Sequence, residues 1–152
     1  MLAVTGTPGT GKTTVAKAIA QALGYVYVDV NKLINERKLS EGYDKERDCE
    51  IVNTARLSQE LLKLKGDVVI DSHLSHFLPK EALKLVIVTR CNLKVLRERL
   101  QERGYNKKKI EENLQAEIFE NCLHEARDLG HKVLIVDTTN GFDIKKIVGE
   151  LR

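Results

Sequence analysis

The feature that most constrains this chain is a glycine-rich stretch near its start, residues 6–13, which reads Gly-Thr-Pro-Gly-Thr-Gly-Lys-Thr. Its spacing, G-x-x-x-x-G-K-[ST], is typical of a phosphate-binding P-loop. Residues without a Cβ atom let successive backbone amides turn inward and donate hydrogen bonds to phosphate oxygens. In such a loop Lys12 reaches the β- and γ-phosphates, and the Thr13 hydroxyl binds Mg²⁺.

The residues on either side of this stretch favour the same interpretation. The apolar run Leu2-Ala3-Val4 before it has the character of a short buried parallel strand. Apolar residues after it recur at helical spacing from Val15 to Leu23, and Gly24 follows as a stop signal. Strand, loop and helix therefore occur in the order that a P-loop requires. The helix N-terminus would add its partial positive charge at the phosphate.

Length and composition indicate one globular domain over residues 1–152, and they exclude several other classes of protein. The sequence has no run of about 18 apolar residues and no signal peptide, so we expect no membrane association and a cytoplasmic location, or a nuclear one if the cell has a nucleus. The 3 cysteines are widely spaced, which predicts neither a disulfide framework nor a zinc site. A net charge of +3 is too small to identify a nucleic-acid-binding protein.

Apolar runs alternate with helical patterns along the rest of the chain. Further strands are predicted at 25–28, 68–71, 85–88 and 133–136. Helices are predicted after Asn31 as N-cap, over about 48–65, from Leu93 to Leu100, over about 107–129 and from Ile144 to Leu151, with a polar turn at 40–44. This alternation predicts an α/β fold, in which helices cover both faces of a parallel sheet and right-handed crossovers join the strands.

The third predicted strand ends on a carboxylate, Asp71. In P-loop proteins an apolar strand that finishes on an aspartate is a Walker B signature. Open α/β sheets bind ligands at the carboxyl ends of their strands, so Asp71 would hold Mg²⁺ directly or through water. The alternative is that Asp71 only caps the next turn.

Two further segments favour a kinase over other P-loop proteins. A helical segment at about 29–58 would cover a second substrate, and a basic hinge at about 97–112 would close over the phosphates. Phosphoryl transfer needs positioning and positive charge around the migrating group, which an arginine-rich lid supplies. Arg103, beside a glycine break, is predicted to contact the transferred phosphate. The alternative is a solvated helix face with partners such as Glu98.

Several of these stretches together resemble the adenylate kinase isoenzyme 6 family. That family comprises small nucleoside monophosphate kinases that also act in maturation of the small ribosomal subunit. The resemblance runs from the first strand to about residue 127, and its most distinctive parts are an E-G-Y-D turn and an R-G-Y-N-x-K-K lid. The residues that carry it are Gly6 to Thr14, Glu41 to Asp44 with Asp48-Cys49, Asp71-Ser72-His73, Arg103 to Asn106, and Asn113 to Phe119.

The resemblance implies a P-loop NTPase fold with a five-stranded parallel sheet of order 2-3-1-4-5. It also implies an NMP-binding segment at about 29–52 and a lid at about 102–112. The substrates would be ATP and AMP or another NMP, with Mg²⁺, in the reaction ATP + AMP ⇌ 2 ADP and with ATP hydrolysis beside it. The residues predicted to bind ATP are Gly9, Thr10, Gly11, Lys12, Thr13, Thr14 and Arg103.

The predicted catalytic residues are Lys12, Asp71, His73 and Arg103, and the predicted metal ligands are Thr13 and Asp71. His73 would orient an attacking water or a phosphate acceptor, or else only hydrogen-bond a loop. Four arginines are candidates for the acceptor phosphate, and Arg90 could instead clamp the ATP: Arg37, Arg47, Arg56 and Arg90. Asn140 is a candidate base contact, and an H-x-x-H metal site at His73 and His76 is a minor alternative.

Two other functions compete with the kinase. The first is an assembly ATPase whose kinase activity is incidental, with a small-subunit ribosomal protein and rRNA as partners; the basic lid would meet rRNA phosphates. The second is a small-metabolite kinase of the shikimate or gluconate type, which shares the sheet and the P-loop.

Overall fold

The computed structural model describes residues 1–47 and 49–152. Asp48, which belongs to the family-like pattern quoted above, lies outside the described residues. The strands are β1 (Leu2–Gly6), β2 (Val26–Asp29), β3 (Ser40–Asp44), β4 (Cys49–Val52), β5 (Val68–Asp71), β6 (Leu85–Arg90) and β7 (Val133–Asp137). The helices are α1 (Lys12–Leu23), α2 (Val30–Glu36), α3 (Thr54–Leu62), α4 (Leu93–Glu102), α5 (Lys107–Ile118), α6 (Asn121–Asp128) and α7 (Ile144–Leu151).

Five of the strands form one parallel sheet of order β2-β5-β1-β6-β7. Numbered among themselves along the chain, they have the order 2-3-1-4-5, so the predicted topology is confirmed. β1 lies at the centre of the sheet, and all of its residues are buried. Because the strands are parallel, the carboxyl ends of β1, β5 and β6 meet at one edge, where the P-loop begins.

Alternate residues of β1 face helices on opposite sides of the sheet. Ala3 packs with α2, α3 and α6 in one apolar cluster, whereas Leu2 and Val4 pack with α1 and α7 in another. A third cluster joins α4 to α5 through Leu96, Leu100, Ile110 and Leu114. This third cluster attaches the predicted lid region to the loop edge of the sheet.

The segment between β2 and α3 differs from the sequence prediction. Residues 40–44 were predicted as a polar turn and 48–65 as one helix, but β3 and β4 pair as an antiparallel hairpin and α3 starts only at Thr54. The hairpin residues are mostly exposed. With few apolar side chains to bury, the hairpin leaves no periodic signal, and backbone pairing rather than side-chain packing defines it.

Two helix boundaries also differ. The single helix predicted over about 107–129 is two helices, because Glu120 adopts a left-handed backbone conformation with φ 51° between α5 and α6. Phe119, at the end of α5, is 66% exposed. At α2 the N-cap is Asp29, not Asn31, since the Asp29 carboxylate accepts hydrogen bonds from the amides of Asn31 and Lys32.

Within residues 1–47 and 49–152, no helix combines the length and the apolar character needed to cross a bilayer.

Candidate active site

The P-loop is held in place by its own threonines and by α4. The Thr10 hydroxyl donates to the Thr7 carbonyl at 2.6 Å and lies 2.8 Å from the Thr89 hydroxyl of β6. These two hydrogen bonds fix the Thr10 side chain inside the loop, where it stabilises the loop conformation. Gly9 has φ 91°, and a Cβ atom there would come within 2.9 Å of Leu96 Cδ1 and 3.0 Å of a Leu100 methyl group of α4. Glycine is favoured at this position because its φ lies in the left-handed region and the loop runs against side chains of α4.

Lys12 extends along the loop into the cleft beneath it. Its Nζ atom donates to the Thr7 carbonyl at 3.4 Å. Burial lowers the pKa of Lys12 to about 8, against the opposing effect of Asp71. A desolvated ammonium group with a lowered pKa gains more from a nearby polyphosphate than an exposed one does, because the polyphosphate restores the missing counter-charge.

Asp71 accepts two hydrogen bonds at the same carboxylate oxygen. The hydroxyl groups of Thr13 and Tyr27 each lie 2.7 Å from its Oδ2 atom. Burial and this bond to Asp71 raise the pKa of Tyr27, so the phenol stays protonated and remains a donor. The structure therefore brings the two predicted metal ligands, Thr13 and Asp71, into contact.

This pair has the chemistry that Mg²⁺ requires. Mg²⁺ prefers oxygen ligands and in proteins is bound by one or two carboxylates together with substrate phosphates. The Thr13 hydroxyl and the Asp71 carboxylate, in contact at the foot of the P-loop, are oxygen groups of this kind and would suit Mg²⁺. We find no cluster of three or more His, Cys, Asp or Glu side chains that could hold a metal by itself in the described part of the chain.

Two cavities meet at the P-loop. One, of about 460 Å³, is lined by Gly9, Gly11, Thr14, Arg99, Glu102, Arg103, Thr138, Gly141 and Phe142. The other, of about 610 Å³, lies between the P-loop, the β3–β4 hairpin, the end of β5 and helices α5 and α6. We call the first the donor cavity and the second the acceptor cleft. Gly9 and Arg103 line both.

The predicted site residues divide between these two spaces. Lys12, Thr13, Asp71 and His73 line the acceptor cleft, and Thr14 and Gly11 line the donor cavity. Asn140, the candidate base contact, is not among the described residues that line the donor cavity, whereas the neighbouring Gly141 and Phe142 are.

The four candidate arginines are in different places. Arg47, at the tip of the hairpin, lines the acceptor cleft. Arg37 pairs instead with Glu60 at 2.9 Å, and Arg90 pairs with Glu120 at 3.3 Å. Arg56 is exposed on α3. Of the four, Arg47 is the one found in the cleft lining among the described residues.

His73 lines the acceptor cleft. Its side chain is open to the cleft, and protein atoms around it displace part of its water. Desolvation lowers its pKa to about 4, and the nearby Lys12 charge acts in the same direction. His73 is therefore neutral near pH 7 and can accept a hydrogen bond there. His76 does not join it in a metal site, because its Nδ1 lies 2.8 Å from Thr5 Oγ1 and its Nε2 lies 2.7 Å from Glu125 Oε2.

Comparison with known proteins places this site in a family. Residues 2–120 match a family model described as an AAA domain. A putative adenylate kinase of Pyrococcus abyssi is 44% identical over 140 residues, which cover 92% of this chain and 76% of that protein. An adenylate kinase isoenzyme 6 homolog of Caenorhabditis elegans is 38% identical over 129 residues, covering 82% of this chain and 71% of that protein.

The chain belongs to the adenylate kinase isoenzyme 6 family. Its fold is also that of more distant kinases. A shikimate kinase of Acinetobacter baumannii, solved in complex with shikimate, superposes with a TM-score of 0.66 at 17% identity, covering 99% of this chain and 89% of that one. At that identity the likeness extends to the fold alone.

Sequence reasoning missed one polar cluster in this member of the adenylate kinase isoenzyme 6 family. Arg99 of α4 donates to the Gly9 carbonyl at 3.2 Å and to the Thr138 carbonyl at 2.8 Å. The Thr138 hydroxyl accepts from Arg99 at 3.1 Å and donates to the Thr10 carbonyl at 2.6 Å. Arg99 and Thr138 therefore fasten the P-loop to α4 and to the loop after β7.

Tyr27 was also missed as a partner of Asp71. The sequence shows it only as an apolar strand residue. The register of the sheet could have indicated this contact. Tyr27 lies on β2, which pairs with β5, and both strands end at the same edge of the sheet as the P-loop. For Arg99 no such signal exists, since its partners are backbone and side-chain atoms 39 and 90 positions away in the sequence.

Proposed function

We propose that the chain is a Mg²⁺-ATP-dependent nucleoside monophosphate kinase, an adenylate kinase that catalyses ATP + AMP ⇌ 2 ADP. The observation that carries the proposal is that Arg103 and Gly9 line both the donor cavity and the acceptor cleft. Two nucleotides bound in these spaces would bring their phosphates together at the P-loop, beside Arg103. The similarity to a putative adenylate kinase of Pyrococcus abyssi supports the same activity.

On the donor side, backbone amides of the P-loop would bind the β- and γ-phosphates of ATP, as glycine-rich loops at helix N-termini do. Lys12 would neutralise charge that develops on the transferred group. Thr13 and Asp71 would hold Mg²⁺, which supplies further neutralisation of the β- and γ-oxygens when bound. The adenine of ATP would lie in the donor cavity near Gly141 and Phe142.

On the acceptor side, Arg47 would hold the AMP phosphate in line with the γ-phosphorus of ATP. An oxygen of that phosphate forms the new bond to phosphorus as the bond to the β,γ-bridging oxygen breaks, and the displaced oxygen leaves as part of ADP. The phosphate of AMP is already ionised near pH 7, so the step needs no general base. The one N–H of neutral His73 would donate to an oxygen of that phosphate and orient the acceptor.

We assign the parts of the chain accordingly: one kinase domain over 1–152, with the NMP-binding segment at about 29–52 and the lid at about 102–112. The lid lies where α4 ends and α5 begins, around Gly104. Closure of the lid over both nucleotides would exclude water and favour transfer to AMP over hydrolysis. We place the enzyme in the cytoplasm, where its nucleotide substrates are abundant.

The test is to incubate the purified protein with Mg²⁺-ATP, with and without AMP, and to separate the nucleotides over time. We expect ADP to form at twice the rate of AMP loss, and Lys12→Ala to abolish it. Replacing AMP by shikimate or gluconate serves as the matched acceptor control. Transfer to those acceptors but not to AMP, or ADP and free phosphate accumulating equally whether or not AMP is present, would contradict the kinase proposal.

We also propose ATP hydrolysis and a role in maturation of the small ribosomal subunit, with a ribosomal protein and rRNA as partners. Two observations favour it as a second function: neutral His73 faces the cleft, where it could orient water, and the lid exposes Lys107 and Lys108. Capture of a small-subunit ribosomal protein by the tagged wild-type chain, lost on Lys107→Glu together with Lys108→Glu, would support this role. Absence of any ribosomal protein would contradict it.

A further inference from the structure

Phe77 places an exposed aromatic ring in the acceptor cleft. It ends the 3₁₀ turn Ser75–Phe77 that follows β5, and it is 38% exposed. On its covered side the ring lies against the imidazole of His76, with centroids 4.4 Å apart and planes inclined by 35°. A supported but accessible aromatic ring is a surface on which a planar nucleobase can stack.

Glu125 lies beside the same imidazole. Its Oε2 atom is 2.7 Å from His76 Nε2, yet its side chain is 47% exposed and lines the acceptor cleft. His76 is completely buried, and burial lowers its pKa, so the imidazole is neutral. The Thr5 hydroxyl, 2.8 Å from Nδ1, then donates to that nitrogen, and Nε2–H donates to Glu125. The carboxylate is thereby held in one orientation, and its remaining lone pairs can accept hydrogen bonds from other donors.

The other carboxylates that line the described part of the cleft already have roles. Asp71 accepts from Thr13 and Tyr27, Asp29 caps α2, and Glu112 pairs with Arg47 at 4.0 Å. As a carboxylate, Glu125 would repel the phosphates of a nucleotide. It is suited to the uncharged end of an acceptor nucleotide, and an ionised carboxylate can only accept hydrogen bonds.

We propose that Phe77 and Glu125 determine base specificity in the acceptor cleft: the base stacks on the Phe77 ring and donates its exocyclic amino group to the Glu125 carboxylate. This inference rests on the proposed nucleoside monophosphate kinase activity. Adenine and cytosine carry such an amino group, whereas hypoxanthine and uracil carry a carbonyl oxygen at the same ring position. Two acceptors facing each other leave both without a donor, so the carbonyl bases are disfavoured. His76 acts as a positioning residue that holds Glu125.

The experiment compares AMP with IMP, which differ at this ring position. We expect Glu125→Gln to lower the ratio of kcat/KM for AMP to that for IMP by at least about fivefold, because an amide can donate to the carbonyl oxygen. The Gln side chain can still accept from His76 Nε2, so the fold is preserved. Phe77→Leu should raise KM for AMP about tenfold with kcat nearly unchanged, and Phe77→Tyr, which keeps the ring, should not. Calorimetric titration of AMP and IMP gives the same comparison without turnover.

Two surface variants serve as matched controls, Glu150→Gln on α7 and Phe119→Leu beside α5, and both should match the wild type. If the wild type phosphorylates AMP but Glu125→Gln leaves the AMP-to-IMP ratio unchanged, the base-specificity inference is wrong and the proposed function stands. If the wild type neither binds nor phosphorylates any nucleoside monophosphate, both the proposed function and the base-specificity inference are wrong.

Discussion

Arg47 is the residue whose replacement tests the acceptor site most directly. Its guanidinium lies at the mouth of the acceptor cleft, 67% exposed, with Asp44 and Glu112 each about 4.0 Å away. We expect Arg47→Ala to raise KM for AMP by about 10- to 100-fold, since a hydrogen bond to a charged group contributes about 1.5–3 kcal/mol. KM for ATP should stay within about twofold.

Arg37 and Arg56 supply the matched controls, because both lie on the same segment but outside the cleft lining within the described residues. Steady-state kinetics with each nucleotide varied in turn would separate the three variants. An unchanged KM for AMP in Arg47→Ala, or an equal rise in Arg56→Ala, would show that another group binds the acceptor phosphate.

The lowered pKa of Lys12 predicts that ATP binding depends on pH. Its pKa is lowered to about 8, so the ammonium is charged at pH 7 and mostly neutral at pH 9. Because the charged form attracts the phosphates, affinity for ATP at fixed Mg²⁺ should fall with rising pH, by up to about tenfold between pH 7 and pH 9. Calorimetric titration measures this directly.

In Lys12→Arg the charge persists at all these pH values. That variant should bind ATP more weakly at pH 7 but lose little further affinity by pH 9. If affinity for ATP fell equally with pH in the wild type and in Lys12→Arg, a group other than Lys12 would be the one that titrates.

At the scale of secondary structure, α4 is the element that couples the P-loop to the lid. Its Leu96 and Leu100 side chains touch the Gly9 position, its Arg99 side chain bonds to Gly9 and Thr138, and its last residue precedes Arg103. A movement of the proposed lid would therefore act on the P-loop through α4.

Thr138→Val tests this coupling with little change of shape. It removes the hydroxyl that accepts from Arg99 and donates to the Thr10 carbonyl. We expect KM for ATP to rise about 5- to 30-fold, corresponding to about 1–2 kcal/mol, with KM for AMP unchanged. Thr54→Val, at the exposed start of α3, is the control. Equal changes in both Michaelis constants would point to a general loss of structure instead.

The sequence predicts some elements better than others for physical reasons. The sheet strands are runs of mostly apolar residues, so their positions follow from the pattern. Their order does not follow from that pattern and was implied by the resemblance to a family. The β3–β4 hairpin buries little, and its residues carry no periodic signal. The break at Glu120 depends on a left-handed conformation of a residue other than glycine, which no local motif announces.

The candidate site divides in the same way. Lys12, Thr13, Asp71 and Arg103 belong to local motifs and were predicted, and the structure brings them to one edge of the sheet. Arg99 and Glu125 depend on contacts between distant segments. Arg47 was one of four equivalent candidates, because the direction of a side chain at a hairpin tip follows from the hairpin and not from the sequence around it.

For the molecule as a whole, Glu117 links stability to pH. It lies partly buried behind the P-loop, where the Cys91 amide donates to its carboxylate at 3.5 Å, and burial raises its pKa to about 7. A carboxyl group whose folded pKa exceeds its unfolded value favours the folded state less as pH rises through that interval. Its ionisation therefore destabilises the native protein progressively from about pH 4.5 to pH 7.

Glu117→Gln removes this titration while keeping an oxygen for the Cys91 amide. We expect the variant to be more stable than the wild type, with an advantage about 2 kcal/mol larger at pH 8 than at pH 5. Denaturant unfolding at the two pH values measures it, with Glu150→Gln as the exposed control. An advantage that does not change with pH would rule out Glu117 as the source.

The two walls of the acceptor cleft are joined at their rim by charged pairs on the surface. Lys108 of α5 lies 3.2 Å from Glu46, and Arg47 lies 4.0 Å from Glu112, so the hairpin is tied to α5 by exposed groups. Such pairs contribute about 0–1 kcal/mol each, comparable to thermal energy. These pairs by themselves would hold the entrance closed only weakly, and added salt would weaken them further. The bound nucleotides would then hold the entrance closed. Once they have reacted and left, the entrance would reopen without the breaking of a strong salt bridge in these pairs.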